Sequence, residues 1–267
     1  MVKKLIILWV LAVCFACSTD SPEEELPAPV QSLEVSLTPS VSEVFVDVPF
    51  TVKVQANEGL YEISRIFENR VESITSLNPG TALPAESLNL HFGFGFLGTE
   101  TVVLEFTSIT GKKLTKTLNV DVKRGNAVKI VGFKINAFHN MNGSWDQEYE
   151  DTDPNRLADI VFGFRKMRQG HISNEYQVMS PWFLSPVFPN LQLTEFELSH
   201  KELYISENSR LELGLIDADE DGTGKDLTMG YRDLGINFMD YKATKPSEIN
   251  LANEDYGFDV TFILEWL

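Results

Sequence analysis

The stretch Leu114-Thr115-Lys116-Thr117-Leu118-Asn119-Val120-Asp121-Val122 most narrows what this chain can fold into. Its apolar residues sit at alternate positions, and a period of two puts them on one face of an extended strand. Leu33 to Leu37, Val44 to Asp47, Phe50 to Val54 and Val102 to Phe106 read the same way. Ile109-Thr110-Gly111-Lys112-Lys113 supplies a turn before the last strand. Short alternating strands with turns at close spacing argue for an antiparallel β-sandwich over residues 30–124. Tyr61 to Ser76 breaks the alternation and reads as a long connection or a short helix. Phe92, Phe94 and Phe96 read as one face of a further strand.

Lys123-Arg124-Gly125-Asn126 is polar and carries a glycine, which places a domain boundary there. A second domain then covers residues 127–267. Its strand candidates are Val128 to Phe138, Ile160 to Arg165, Leu193 to Leu198, Leu203 to Ile205, Leu211 to Ile216, Gly230 to Asn237 and Val260 to Trp266. Few segments show helical periodicity. The expected fold class is all-β, two antiparallel β-sandwiches in series. The first one closes on a strand, a Gly-Lys turn and a strand ending Val120-Asp121-Val122, and in this it resembles bacterial immunoglobulin-like modules.

Composition sets the outer bounds. The chain has 267 residues, 43% of them hydrophobic, which suffices for real cores. The formal net charge of −17 speaks against nucleic acid as a partner, since phosphate binding needs a basic face. The two cysteines are Cys14 and Cys17, so residues 18–267 hold no thiol for a disulfide, a thiolate metal site or a nucleophile. His91, His139, His171 and His200 are scattered and show no zinc-ligand spacing.

The start of the chain gives an address. Lys3 and Lys4 precede the apolar run Leu5 to Ala16, and Cys17 follows. A basic start, a short apolar run and a small residue before the cut describe a secretory signal, too short for the ~20 residues that span a bilayer. Val13-Cys14-Phe15-Ala16-Cys17 resembles a bacterial lipobox, which implies a signal peptide over residues 1–16 and a lipidated Cys17. The polar tether at 17–29 contains Ser18-Thr19-Asp20-Ser21-Pro22-Glu23-Glu24-Glu25. It resembles the acidic export tag of Bacteroidetes lipoproteins and implies the bacterial outer membrane, facing outward. A solvated, disordered linker has the same composition.

Two acidic loops carry the chemistry of the second domain. One runs from Asn142 to Pro154 and on to Asp159; the other is Asp217-Ala218-Asp219-Glu220-Asp221-Gly222-Thr223-Gly224-Lys225-Asp226. Carboxylates this dense repel one another unless a cation or solvent screens them. Many hard oxygen ligands suit calcium, which fills even weak sites outside the cell. Asp217-x-Asp219-x-Asp221-Gly222 begins like an EF-hand loop, but Thr228 stands where that loop needs its bidentate glutamate. The alternating Leu211 to Ile216 before it reads as a strand, not the required helix, and this excludes an EF-hand.

The second domain resembles the C2 domain, a calcium- and lipid-binding β-sandwich. Its strand end Leu215-Ile216-Asp217-Ala218-Asp219 and the later Asp226-Leu227-Thr228-Met229-Gly230 follow the family order. Asp146 and Asp159-Ile160-Val161-Phe162 match its first loop, and Pro181-Trp182 to Phe188 its aromatic-proline stretch. The resemblance implies calcium ligands at Asp146, Asp159, Asp217, Asp219 and Asp226, with Asp153 and Asp221 in reserve. Asp-Gly and Asp-Pro pairs are also ordinary turn chemistry.

Gly93-x-Gly95-x-x-Gly98 matches a dinucleotide fingerprint in letters, but an alternating strand follows where a helix is required. No Gly-x-Ser-x-Gly elbow or Walker loop occurs. A pair of acids meeting in space for glycoside hydrolysis stays open. The expected function is binding rather than catalysis: calcium-dependent capture of an anionic lipid, polysaccharide or protein. The alternative is a structural subunit of a surface complex without functional calcium.

Overall fold

The computed structural model describes residues 31–68, 71–76, 88–146, 148–169, 177–191, 194–219, 224–230 and 234–267. The expected signal peptide at 1–16, Cys17, the tether at 17–29 and Asp221 lie outside the described residues. Leu33–Leu267 form one compact unit. The fold is all-β, and its sheets are arranged in sandwich fashion.

In the first half β1 (Val35–Pro39), β3 (Phe50–Ala56) and β6 (Leu88–Phe92) form one sheet in the order β1-β3-β6. The facing sheet has the order β2-β8-β7-β4-β5, built from β2 (Val44–Phe45), β4 (Leu60–Ile66), β5 (Val71–Ser76), β7 (Gly98–Ser108) and β8 (Lys113–Lys123). Along β7 Val102, Leu104 and Phe106 are buried and their neighbours are not, as the period of two requires. The turn between β7 and β8 uses Gly111 at φ 82°, a left-handed conformation that glycine adopts without a Cβ penalty. One departure from a purely antiparallel sandwich is the pairing of β2 with β8, which is parallel.

Tyr61 to Ser76 is neither a connection nor a helix: it contributes β4 and β5. The pairings of β4 shift register at Leu60/Glu62 and at Ile63/Ser64. The first leaves Tyr61 as an extra residue on β4 and the second leaves Ile74 as an extra residue on β5, and the buried positions Leu60, Ile63 and Ser64 depart from a period of two. The three-phenylalanine face is also corrected. Phe92 ends β6, and Phe94 enters the core from the following loop, its ring 5.9 Å from Phe50. Phe96 is exposed.

In the second half β9 (Val128–Ala137), β12 (Glu195–Glu197), β13 (Tyr204–Ile205), β17 (Glu248–Asn253) and β18 (Phe258–Glu265) form a sheet around the antiparallel pair β9-β18. The sheet opposite runs β11-β10-β14-β15, from β10 (Ile160–Gln169), β11 (Gln177–Leu184), β14 (Arg210–Ala218) and β15 (Gly224–Asp226), with β16 (Gly235–Asn237) also on β14. Their inner faces enclose an aromatic centre. Phe162 stands 4.7 Å from both Phe133 and Phe196, and Phe133 stands 5.1 Å from Phe262. Tilted rings at these separations add about 0.5–1.5 kcal/mol per pair beyond their area burial.

The two cores are separate but the halves are tightly joined. Ala127 and Tyr204, from the second half of the sequence, belong to the first core. Gly125 sits between β8 and β9 at φ 56°, and a Cβ there would lie 2.8 Å from the Phe45 ring. Lys166 of β10 reaches across with its side chain only 4% exposed, 2.9 Å from Asp47 Oδ1. Its ammonium also donates to the Gly95 carbonyl at 2.8 Å and the Tyr204 carbonyl at 3.0 Å, and lies 4.0 Å from the centre of the Trp182 ring.

A candidate cation site at the end of the second sandwich

Strand β14 explains how a carboxylate comes to be buried. Leu211, Leu213 and Leu215 point into the core, and alternation puts Asp217 next on the same face. Asp217 is fully buried at the rim of the core. Its partner in register is Ile160, the first residue of β10. This delivers Asp159 to the same place: its backbone N–H donates to Asp217 Oδ1 at 2.7 Å. The Asp159 carboxylate in turn accepts the Asn190 backbone N–H at 2.7 Å.

The first acidic loop folds over this strand end. The N–H groups of Trp145 and Asp146 both donate to the Arg156 carbonyl, at 2.7 and 3.3 Å. Trp145 is anchored inward, its indole N–H donating to the Asn140 carbonyl and its ring edge-on to Phe138. Asp146 therefore projects toward β14. Asp146, Asp217 and Asp219 each offer an oxygen, all within 4.8 Å of one another. Oxygens around one calcium at 2.3–2.6 Å lie no more than about 5 Å apart, so the spacing fits a shared hard cation.

Asp217 Oδ2 is buried and accepts no hydrogen bond. An unsatisfied buried oxygen costs about 1–3 kcal/mol, more when charged, and calls for a missing partner. Lys225 Nζ stands 3.9 Å from it, beyond hydrogen-bond reach, and is held instead by the Trp145 carbonyl at 2.9 Å and Asp219 Oδ1 at 3.4 Å. Burial pushes the Asp146 carboxyl up to about 6, with the charges of Asp217, Asp159, Glu148 and Asp219 adding to the shift. Asp217 is also raised, chiefly by burial; the Asp159 N–H and Lys225 oppose this, and Asp219 and Asp159 add to it.

Of the residues expected from sequence, Asp146, Asp217 and Asp219 converge, and Asp159 borders them in the same cleft. Asp226 does not join them. It is exposed on β15, and its carboxylate closes a turn by accepting the N–H and hydroxyl of Thr228 and the N–H of Gly230. Asp153 caps the short 3-10 turn Pro154–Arg156 through the Asn155 N–H. Sequence reasoning assigned no role to Lys225, although it is the one basic residue between Asp217 and Asp226. No protein-family model matches this chain, and no curated protein matches it in sequence.

Proposed function

We propose that this chain is a lipid-anchored bacterial surface protein whose second sandwich, C2-like in its loop arrangement, binds calcium and through it an anionic ligand. The single observation that carries the calcium reading is the buried Asp217 Oδ2, which accepts no hydrogen bond, inside a triad of carboxylates. Asp146, Asp217 and Asp219 would hold the ion, with water and loop carbonyls free to complete the 6–8 oxygens calcium takes. A bound calcium would offset two of the three carboxylate charges, fix the two loops and leave open coordination positions facing the cleft. The anchor and outer-membrane address rest on Lys3, Lys4, the apolar run to Ala16, and Cys17. The first sandwich, immunoglobulin-like in its closing strands, serves as spacer.

The first loop favours a polar anionic ligand, polysaccharide or protein, over insertion into lipid. Met141 and Trp145 pack against the core, Leu157 is half-buried, and of these loop residues only Tyr149 is exposed, at 40%. Lys225 favours a second reading, a structural subunit in which the lysine itself balances the acids without metal. Calorimetric titration of the chain with calcium separates the two. A saturable heat that Asp217→Asn abolishes supports the site, and no heat from the parent chain contradicts it.

A further inference from the structure

Lys225 stands beside the carboxylate triad, and its placement is set by the sheet. In the β14–β15 pairing it lies opposite Asp217, and Asp226 opposite Ile216. Glycine precedes it: a Cβ at Gly224 would lie 3.2 Å from the Asp217 carbonyl and 3.2 Å from the Ile216 side chain, so a bare backbone lets β15 close onto β14. The ammonium then bridges the loops, bound to the Trp145 carbonyl of the first and Asp219 of the second. Yet it satisfies only part of the cluster, since Asp217 Oδ2 stays without a hydrogen bond. Its side chain is 48% exposed, so nothing in the core holds it in place.

Resting on the calcium reading above, we infer that Lys225 is a tethered competitor: its ammonium occupies the cation position when the site is metal-free, and a divalent ion must displace it to bind. Charge sets the selectivity. A monovalent ion that replaced the ammonium would exchange one positive charge for another and gain no Coulomb attraction. A divalent ion doubles the charge among the three carboxylates and reaches the buried Asp217 oxygen that the lysine leaves unmet. Displacement needs only rotation of a flexible, half-exposed side chain, a fast motion. The freed ammonium then stands at the rim of the cleft beside the metal, where it adds to the attraction for an anionic ligand. The lysine thereby lowers apparent calcium affinity and keeps the loops joined until calcium is present.

The test is calcium titration of the full chain and of Lys225→Met, Lys225→Arg and Asp217→Asn, with melts of each in EDTA. Competition by a partly exposed ion pair worth up to ~1 kcal/mol predicts that Lys225→Met binds calcium more tightly, by up to about fivefold. Lys225→Arg, which keeps the charge, stays near the parent. In EDTA, Lys225→Met melts no higher than the parent, because it has lost its counter-ion. If the parent binds calcium and Asp217→Asn does not, but Lys225→Met binds no more tightly than the parent, the competitor role is overturned and the calcium reading stands. If neither the parent nor Lys225→Met binds calcium, the calcium reading itself falls and the competitor role with it.

Discussion

Removing the Lys166 ammonium is the sharpest perturbation of how the two sandwiches are joined. In Lys166→Met the stem is replaced by apolar volume, while Asp47, with its side chain 4% exposed, loses the cation 2.9 Å away. The Gly95 and Tyr204 carbonyls lose a donor as well. Asp47 retains the Ser206 backbone N–H at 3.1 Å. Taking one partner from a buried ion pair costs about 3–5 kcal/mol, because the remaining charge is uncompensated. Burial already lifts the Asp47 carboxyl above its ordinary range against the pull of Lys166. Without the lysine it rises further, so the variant's deficit is smallest in acid and grows as pH rises through the new value. Asp47→Asn added to Lys166→Met removes the stranded charge, and asparagine tolerates the left-handed backbone at φ 58°. The double variant recovers most of the loss. Guanidinium denaturation followed by tryptophan fluorescence measures this, since Trp182 lies against the ammonium. A loss below about 1 kcal/mol at pH 7, far under the ~3–5 expected for a broken buried pair, would refute the reasoning. So would a double variant no more stable than the single one.

Three further outcomes follow from the site and the junction. Asp226→Ala loses the turn bonds to Thr228 and Gly230 and costs about 1–2 kcal/mol in urea denaturation, yet it leaves the calcium-induced rise in melting temperature intact. In EDTA the raised carboxyl of Asp146, at about 6, contributes stability that is complete below its unfolded value near 3.8 and is lost as pH rises through 6. Asp146→Asn should remove that slope, worth about 1 kcal/mol after solvent screening, in melts taken from pH 4 to 7.5. Gly125→Ala puts a methyl group into the Phe45 ring at a left-handed backbone position and costs about 2 kcal/mol by thermal unfolding.

Regular alternation made most of the architecture legible. β7 and β14 carry buried residues at every second position, β8 does so only at its end with Val120 and Val122, and β9 keeps an alternating start before Gly132 and Phe133 are buried in succession. β4 was hidden because the bulge at Tyr61 disturbs that period, and β2 pairs in parallel, which no short sequence window reveals. β17 does alternate, Ile249 and Leu251 flanking Asn250, but two large apolar positions are too few to mark a strand. At the site, the Asp217-x-Asp219 strand end identified two carboxylates of the triad. Their meeting with Asp146 depends on the Arg156 carbonyl folding the first loop back. Asp226 looked equivalent to its neighbours because a carboxylate that closes a turn and one that faces a cation are the same letter. Lys225 and Lys166 show the complement: each is one base in an acidic chain, and only the fold shows which acids it meets.

The central claim is that Asp146, Asp217 and Asp219 form a cation site, and thermal melts in EDTA and in millimolar calcium test it most directly. With a dissociation constant around 10⁻⁴–10⁻³ M, about 10 mM calcium stabilises the folded chain by roughly 1.4–2.7 kcal/mol. At about 2–4 °C per kcal/mol for a chain of this size, the melting temperature should rise by roughly 3–10 °C. Asp217→Asn should abolish the rise. Coincident melts of the parent chain with and without calcium would contradict the claim.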